Sequence, residues 1–230
     1  GNPLLICIES LVKEKWLDEK DITPLRIECE SIVDFDMLSA WKIPTLKACY
    51  NRFVKNASKE EKEWFESYRK ANSAWLDDYA LFMSIKEDMG GKCWTEWPLG
   101  LRKREANALA EKTQELKDEI SFHAFMQFVF DRQWEGIHKH CSEAGLKIVG
   151  DVPIFVALDS SDVWTHQDLF FLDKNCEPTV VAGVPPDYFC ATGQLWGNPL
   201  YNWQEHKKDG YKWWLSRLEY TFKRVDVIRI

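Results

Sequence analysis

The sequence predicts a parallel α/β fold, and three observations carry that reading. The C-terminal half runs helix, strand, loop, helix, strand, which is the grammar of parallel sheets with crossover helices. Its two strands are short, β-branched and apolar, as buried parallel strands are. The 230 residues are 45% hydrophobic with only 11 Gly and 9 Pro. Such a chain can fill a sizeable core in one large domain or at most two, and disorder is ruled out as its dominant state. The balance of 30 Lys+Arg against 37 Asp+Glu gives a net charge of −7, which disfavours a nucleic-acid partner. No apolar run approaches the roughly 20 residues of a bilayer-spanning helix, so a soluble protein with no membrane partner is expected.

Taken in order, residues 1–35 read as irregular to weakly helical, with a turn at Asn2-Pro3. From about Lys59 the apolar residues Trp64, Tyr68, Ala71, Trp75, Tyr79, Phe82 and Met83 fall at steps of three or four, the stripe of an amphipathic helix. Ser58 and Glu61 have the form of a capping box, and Gly90-Gly91 supplies the stop. Trp94 to Gly100 is a loop by composition. A second helical stretch covers about Glu105 to Ala144, in one or two pieces, with Phe122, Phe125, Met126, Val129, Phe130, Trp134, Ile137 and Cys141 on its stripe and Gly145 after it.

The period then changes. Leu146 to Val149 and Val152 to Val156 bracket Gly150-Asp151 and read as a buried strand running into a loop. Within residues 158–208 only a hairpin is expected, Leu169 to Leu172 pairing with Thr179 to Ala182. Tyr211, Trp214, Leu215, Leu218 and Phe222 form a last helical stripe, leading into a buried strand over Val225 to Ile230. So long a connection is unusual unless it is functional. It leaves from the carboxyl end of a strand, where α/β folds bind ligands.

Several chemistries find no support. The seven cysteines, Cys7, Cys29, Cys49, Cys93, Cys141, Cys176 and Cys190, are odd in number and irregularly spaced, which suits reduced thiols in a reducing compartment. His138 and His140 would point to different faces of a helix, so no metal site is expected there. Neither a Walker A sequence nor G-x-G-x-x-G, H-E-x-x-H or G-x-S-x-G occurs.

Three features invite a ligand instead. Asp151 stands at the mouth of the first strand, where a carboxylate is either functional or a plain turn residue. Arg229, set between Ile228 and Ile230, needs an acidic partner if it is buried, with Asp151 and Asp226 as candidates. The segment from Gly183 to Tyr201 combines Pro185-Pro186, glycines, and Asp187, Tyr188, Phe189, Gln194, Trp196 and Asn198. By composition it is a binding loop for a polyhydroxylated ligand or a rigid Ω-loop packed on itself. With 12 Trp, 13 Phe and 7 Tyr in the chain, sugar rings are one ligand that such flat surfaces suit.

At these residues a resemblance appears. The runs GDVPIFVA, DSSDVW, TVVAGVPPDYF and ATGQLWGNPLYNW between Gly150 and Trp203, with WLDDYALF from Trp75, Trp94 to Pro98 and the opening Asn2 to Ile6, resemble the 4-α-glucanotransferases of glycoside hydrolase family 77. The resemblance covers nearly the whole chain. It implies an α/β fold forming part of a (β/α)8 TIM barrel, with a mainly helical insertion over 36–112 and a loop and hairpin insertion over 158–208 above the active site. It also implies transfer of an α-1,4-glucan segment to the 4-hydroxyl of an acceptor by retaining double displacement, with no cofactor and no metal. Partners are then α-1,4-glucans and maltooligosaccharides, and the location is cytoplasmic, with a plastid left open.

Carried over by position, Asp151 matches the carboxylate after the third strand that helps hold the substrate. Arg229 matches the Arg two residues before the nucleophile, which it orients. Asp187, Tyr188, Phe189, Trp196, Asn198 and Pro199 match the loop bordering the sugar subsites. The nucleophilic Asp, the acid/base Glu and a second Asp are expected beyond Ile230, so no catalytic residue is assigned. The expectation is an internal fragment holding strands two to four, whose partner is the missing remainder of the same polypeptide. Smaller departures from the family are Leu158, Asn175-Cys176 and a missing Tyr before Asn2. The competing reading, a glucan-binding or scaffold protein without catalysis, leaves Arg229 with little reason to be kept.

Overall fold

The computed structural model describes residues 1–22 and 32–230; Cys29 lies outside them. They form two units, one of residues 1–77 and 118–137, the other of 78–117 and 138–230, with the boundaries inside long helices.

The first unit is helical. A 3-10 turn over Pro3–Leu5 precedes α1 (Ile8–Lys13) and α2 (Glu19–Ile22). Helix α3 (Phe35–Asn56) opens on Asp34, whose carboxylate accepts the Met37 N–H at 2.9 Å. It runs through Pro44 and buries Leu46, Cys49, Tyr50 and Phe53, on one face, on the turns that follow. Helix α4 (Lys59–Asp88) starts with the expected reciprocal bonds, Glu61 N to Ser58 Oγ at 3.2 Å and Ser58 N to Glu61 Oε2 at 2.7 Å. In this unit Trp16, Phe53, Phe65, Phe125 and Phe128 make an aromatic core, with Phe53 ring centroids 4.9 Å from both Trp16 and Phe125. The Trp16 indole N–H is satisfied by Glu61 Oε1 at 2.8 Å, as a buried indole requires.

In the second unit α4 ends at Gly90 and Gly91, both at positive φ, with Gly91 N bonded to Lys86 O at 2.8 Å. Trp94 to Gly100, read as a loop, instead holds a 3-10 turn (Trp94–Glu96) and the start of α5 (Leu99–Arg102). The second helical stretch is two helices, α6 (Ala106–Glu115) and α7 (Lys117–Glu143), broken at Leu116. The part of α7 that belongs to the first unit is continuously buried over Phe122 to Val129, wider than a stripe, whereas Ile137 is half exposed. Trp94 and Trp164 are fully buried. Their indole N–H groups donate to Leu158 O at 2.7 Å and Leu101 O at 3.0 Å.

Strand β1 (Val149–Asp151) pairs in parallel with β4 (Val227–Arg229). Between them lie α8 (Ser161–Thr165), an antiparallel pair of β2 (Val181–Val184) and β3 (Gln194–Pro199), then α9 (Trp203–Lys208) and α10 (Lys212–Phe222). Three expectations need correction. The first strand occupies the Gly150-Asp151 stretch itself and ends as Pro153, which has no N–H for a ladder, leaves it. Neither strand is buried: Val149 is 63% and Val227 44% exposed, because only two strands pair and their faces lack cover among the described residues. The expected hairpin forms only in part: its arms meet in the antiparallel Leu172–Pro178 bridge and the Thr179 N–H bond to Phe171 O at 2.9 Å, closed by a turn in which Asp173 Oδ1 accepts the N–H groups of Asn175 and Glu177 at 2.7 and 2.9 Å. The 179–182 run contributes Val181 and Ala182 to a ladder with β3 instead. The last apolar helix starts at Lys212, after Tyr211 in a left-handed conformation, and leaves Leu215 and Phe222 exposed.

Candidate functional site

The parallel register sets Asp151 directly beside Arg229, at the carboxyl ends of both strands. Gly150 permits this closeness, since a Cβ there would lie 2.8 Å from Val225 Cγ1. The two side chains form a bidentate pair, Arg229 Nε to Asp151 Oδ1 at 2.7 Å and Nη2 to Oδ2 at 2.5 Å. These hydrogen bonds hold the Asp151 carboxyl below its ordinary range and raise the Arg229 guanidinium. Burial does not force the pairing, because the Arg229 and Asp151 side chains are 75% and 59% exposed. Asp226, the other candidate partner, instead accepts the Ile148 N–H at 2.8 Å and lies 3.6 Å from His138 Nε2.

The segment read as a binding loop is a hairpin whose tip spans 185–193. Asp187 Oδ1 accepts the N–H groups of Phe189 and Cys190 at 2.9 and 2.8 Å, and Asp187 N donates to Cys190 O at 3.0 Å. Gly193 takes φ +72°, and a Cβ there would stand 2.6 Å from Val184 O, so only glycine closes the tip without strain. The tip presents Tyr188 and Phe189, 97% and 90% exposed, edge to face with centroids 5.6 Å apart. The Cys190 thiol is lowered by its hydrogen bond with Thr192.

Trp196, half exposed on β3, lies 6.4 Å from the Phe155 ring and donates its N–H to Gln194 at 3.2 Å. Asn198 Nδ2 donates to Val156 O at 2.9 Å. Pro199 is buried and stands opposite Val181 in the β2–β3 ladder. Phe155, Tyr201 and Arg217 join this neighbourhood without having been singled out in the sequence. Tyr201 closes the segment from Gly183 that was read as a binding loop and carried a signal there, whereas Arg217 had none. Among the described residues no group of three or more His, Cys, Asp or Glu could hold a metal ion. The chemistry available is a carboxylate fixed by a guanidinium, with flat aromatic faces on a stiff hairpin, which matches hydroxyl-rich ligands with apolar ring faces.

A carboxylate and an arginine at the carboxyl ends of parallel strands are what an α/β barrel site presents. The family model for 4-alpha-glucanotransferase, glycoside hydrolase family 77, matches residues 1–230, and the chain belongs to that family. It is 46% identical to the 4-alpha-glucanotransferase of Thermus thermophilus over 231 residues and 41% identical to that of Aquifex aeolicus over 230. Each alignment covers 100% of this chain and 45% of the relative. The amylomaltase from Streptococcus agalactiae, solved in complex with acarbose, superposes with a TM-score of 0.94 at 35% identity, over 100% of this chain and 46% of that one. The fold is therefore α/β, part of a (β/α)8 barrel. The chain spans about half the length of the curated relatives it matches.

Proposed function

We propose that this chain supplies the substrate-holding side of a 4-alpha-glucanotransferase, which passes a segment of an α-1,4-glucan to the 4-hydroxyl of an acceptor by retaining double displacement. The observation that carries the reading is the bidentate Asp151–Arg229 pair at the strand ends. In double displacement one carboxylate attacks the anomeric carbon while a carboxylic acid protonates the leaving sugar. We assign both of those groups to residues outside these 230, so that the chain's own part is to bind and orient. Asp151 would accept sugar hydroxyls, and Arg229 would fix it and orient the attacking carboxylate. Tyr188, Phe189 and Trp196 would stack on glucose rings, with Asp187 shaping the tip and Asn198 and Pro199 the strand that carries it. Residues 36–112 and 158–208 are the insertions on the barrel in this reading.

Carboxylate chemistry of this kind calls for no cofactor. A cytoplasmic location fits the free thiols of Cys7, Cys49, Cys93, Cys141, Cys176 and Cys190. The test is incubation of the naturally expressed polypeptide with maltotriose. Glucose and longer maltooligosaccharides should form, Asp151→Asn should slow them by about tenfold or more, and the 230-residue chain alone should form neither. Transfer undiminished by Asp151→Asn, or product from the isolated chain, would refute the assignment.

A further inference from the structure

The loop after Asp151 leaves the β1–β4 pair at Val152, whose N–H makes the last ladder bond, to Arg229 O at 2.9 Å. Its next carbonyls must find donors elsewhere. Three are met by side chains that come from far along the sequence. Arg217 Nη2 donates to Pro153 O at 2.8 Å, the Tyr201 hydroxyl to Ile154 O at 2.8 Å, and Asn198 Nδ2 to Val156 O at 2.9 Å. The donors stand on β3, in the turn after it, and on α10.

Tyr201 is the hub. It is 2% exposed, and its ring stacks on Phe155 at 6.0 Å and packs against Phe170 at 5.2 Å and Trp214 at 5.3 Å. Phe155 in turn meets Trp196 at 6.4 Å. Four consecutive residues, 153 to 156, thus lie between the carboxylate at one end and the aromatic strand at the other.

We infer that Asn198, Tyr201 and Arg217 are positioning residues, which clamp the carbonyls of the Pro153–Val156 loop and so fix Asp151 relative to Trp196 for glucan binding. The inference rests on the functional reading above and assigns Asn198 a share in it through the backbone. Three donors on one short segment matter because a single neutral hydrogen bond contributes little net, whereas together they leave the loop one arrangement. Burial pushes the Tyr201 phenol up to about 12, so it remains a donor at any working pH.

The test is a double-mutant cycle in the naturally expressed polypeptide, read as kcat/KM for transfer from maltotriose. Tyr201→Phe keeps the ring and removes one donor. Arg217→Gln, on a partly exposed helix, serves if the buried variant does not fold. Each should lower kcat/KM about fivefold to tenfold in the native background. In an Asp151→Asn background the further loss should shrink to less than about twofold, because residues acting through Asp151 are not additive with its removal. An equal loss in both backgrounds, or none in a folded clamp variant, would overturn the clamp while leaving the site reading intact. A null effect of Asp151→Asn itself would overturn the site reading and the clamp with it.

Discussion

Gly150→Ala tests whether the closeness of β1 and Val225, in the turn between α10 and β4, is what places Asp151 beside Arg229. Two effects oppose each other. Replacing a strand glycine by alanine reduces the freedom of the unfolded chain and stabilises by about 0.4–1 kcal/mol where there is room. Here the new Cβ would stand 2.8, 3.1 and 3.3 Å from Cγ1, Cγ2 and Cβ of Val225, whose side chain is 8% exposed and β-branched. Overpacking of this kind costs about 1–3 kcal/mol, so the clash should win and leave a net loss of roughly 1–2 kcal/mol. Val225→Ala alone should cost roughly 2 kcal/mol, through two methyl groups removed from a buried site. The double variant should lose clearly less than the two singles together, because the second change removes the obstacle to the first. Urea unfolding of the naturally expressed polypeptide measures all three variants, and transfer from maltotriose per folded molecule should fall in Gly150→Ala and recover in the double variant. Wild-type stability in Gly150→Ala, or strict additivity in the double variant, would refute the argument that this glycine lets the strands close.

The Asp151 carboxyl should titrate below its ordinary 3.8, since hydrogen bonds from Arg229 favour its charged form. Because the folded value is depressed, whatever stability the pair contributes is complete above the unfolded value and disappears as pH falls through the folded one. Carbon-detected NMR of the Asp151 carboxyl should show its midpoint rise in Arg229→Gln, and an unmoved midpoint would count against the pair. Trp196→Ala should weaken maltoheptaose binding about tenfold while changing stability by no more than about 1 kcal/mol, given a half-exposed ring. A loss of several kcal/mol with unchanged kinetics per folded molecule would make Trp196 a core residue.

What the sequence made legible was mostly local. Ser58 and Glu61 are three residues apart, and Gly90, Gly91 and Gly145 end helices by their own backbone freedom, so these features need no knowledge of distant chain. Helix α3 was missed although Asp34 is a local N-cap signal, because Pro44 interrupts the pattern that would have followed it. The packing of Leu46, Cys49, Tyr50 and Phe53 offsets that interruption through tertiary contacts that propensity does not hold. The β2–β3 pairing was missed because a β-branched run such as Thr179 to Ala182 fits any apolar partner strand, and only the whole fold decides between them. Arg229 is the instructive case. Charge reasoning chose a partner set containing Asp151, on the premise of burial, yet the side chain is exposed and the choice is made by parallel register instead. Asn198 was named and Tyr201 lay within a recognised motif, but the carbonyls they serve were illegible, as was Arg217 altogether, since Tyr201 and Arg217 lie 47 and 64 residues from their acceptors.

The hairpin tip shows why local chemistry and function meet in one residue. Tyr188 and Phe189 are almost wholly exposed, so no core holds their backbone in place. Its shape therefore depends on groups within a few residues: the two N–H bonds to Asp187 Oδ1, the left-handed Gly193, and the restricted φ of Pro185 and Pro186. An aromatic surface held this way binds a ring with little ordering left to do, and lost freedom is a main opposing term in association. If Tyr188 and Phe189 stack on glucose rings, as proposed, then Asp187 contributes to affinity through the backbone it fixes as well as through any hydroxyl it meets. A short side chain with an acceptor oxygen at this position is therefore used by the loop whether or not it also meets the sugar.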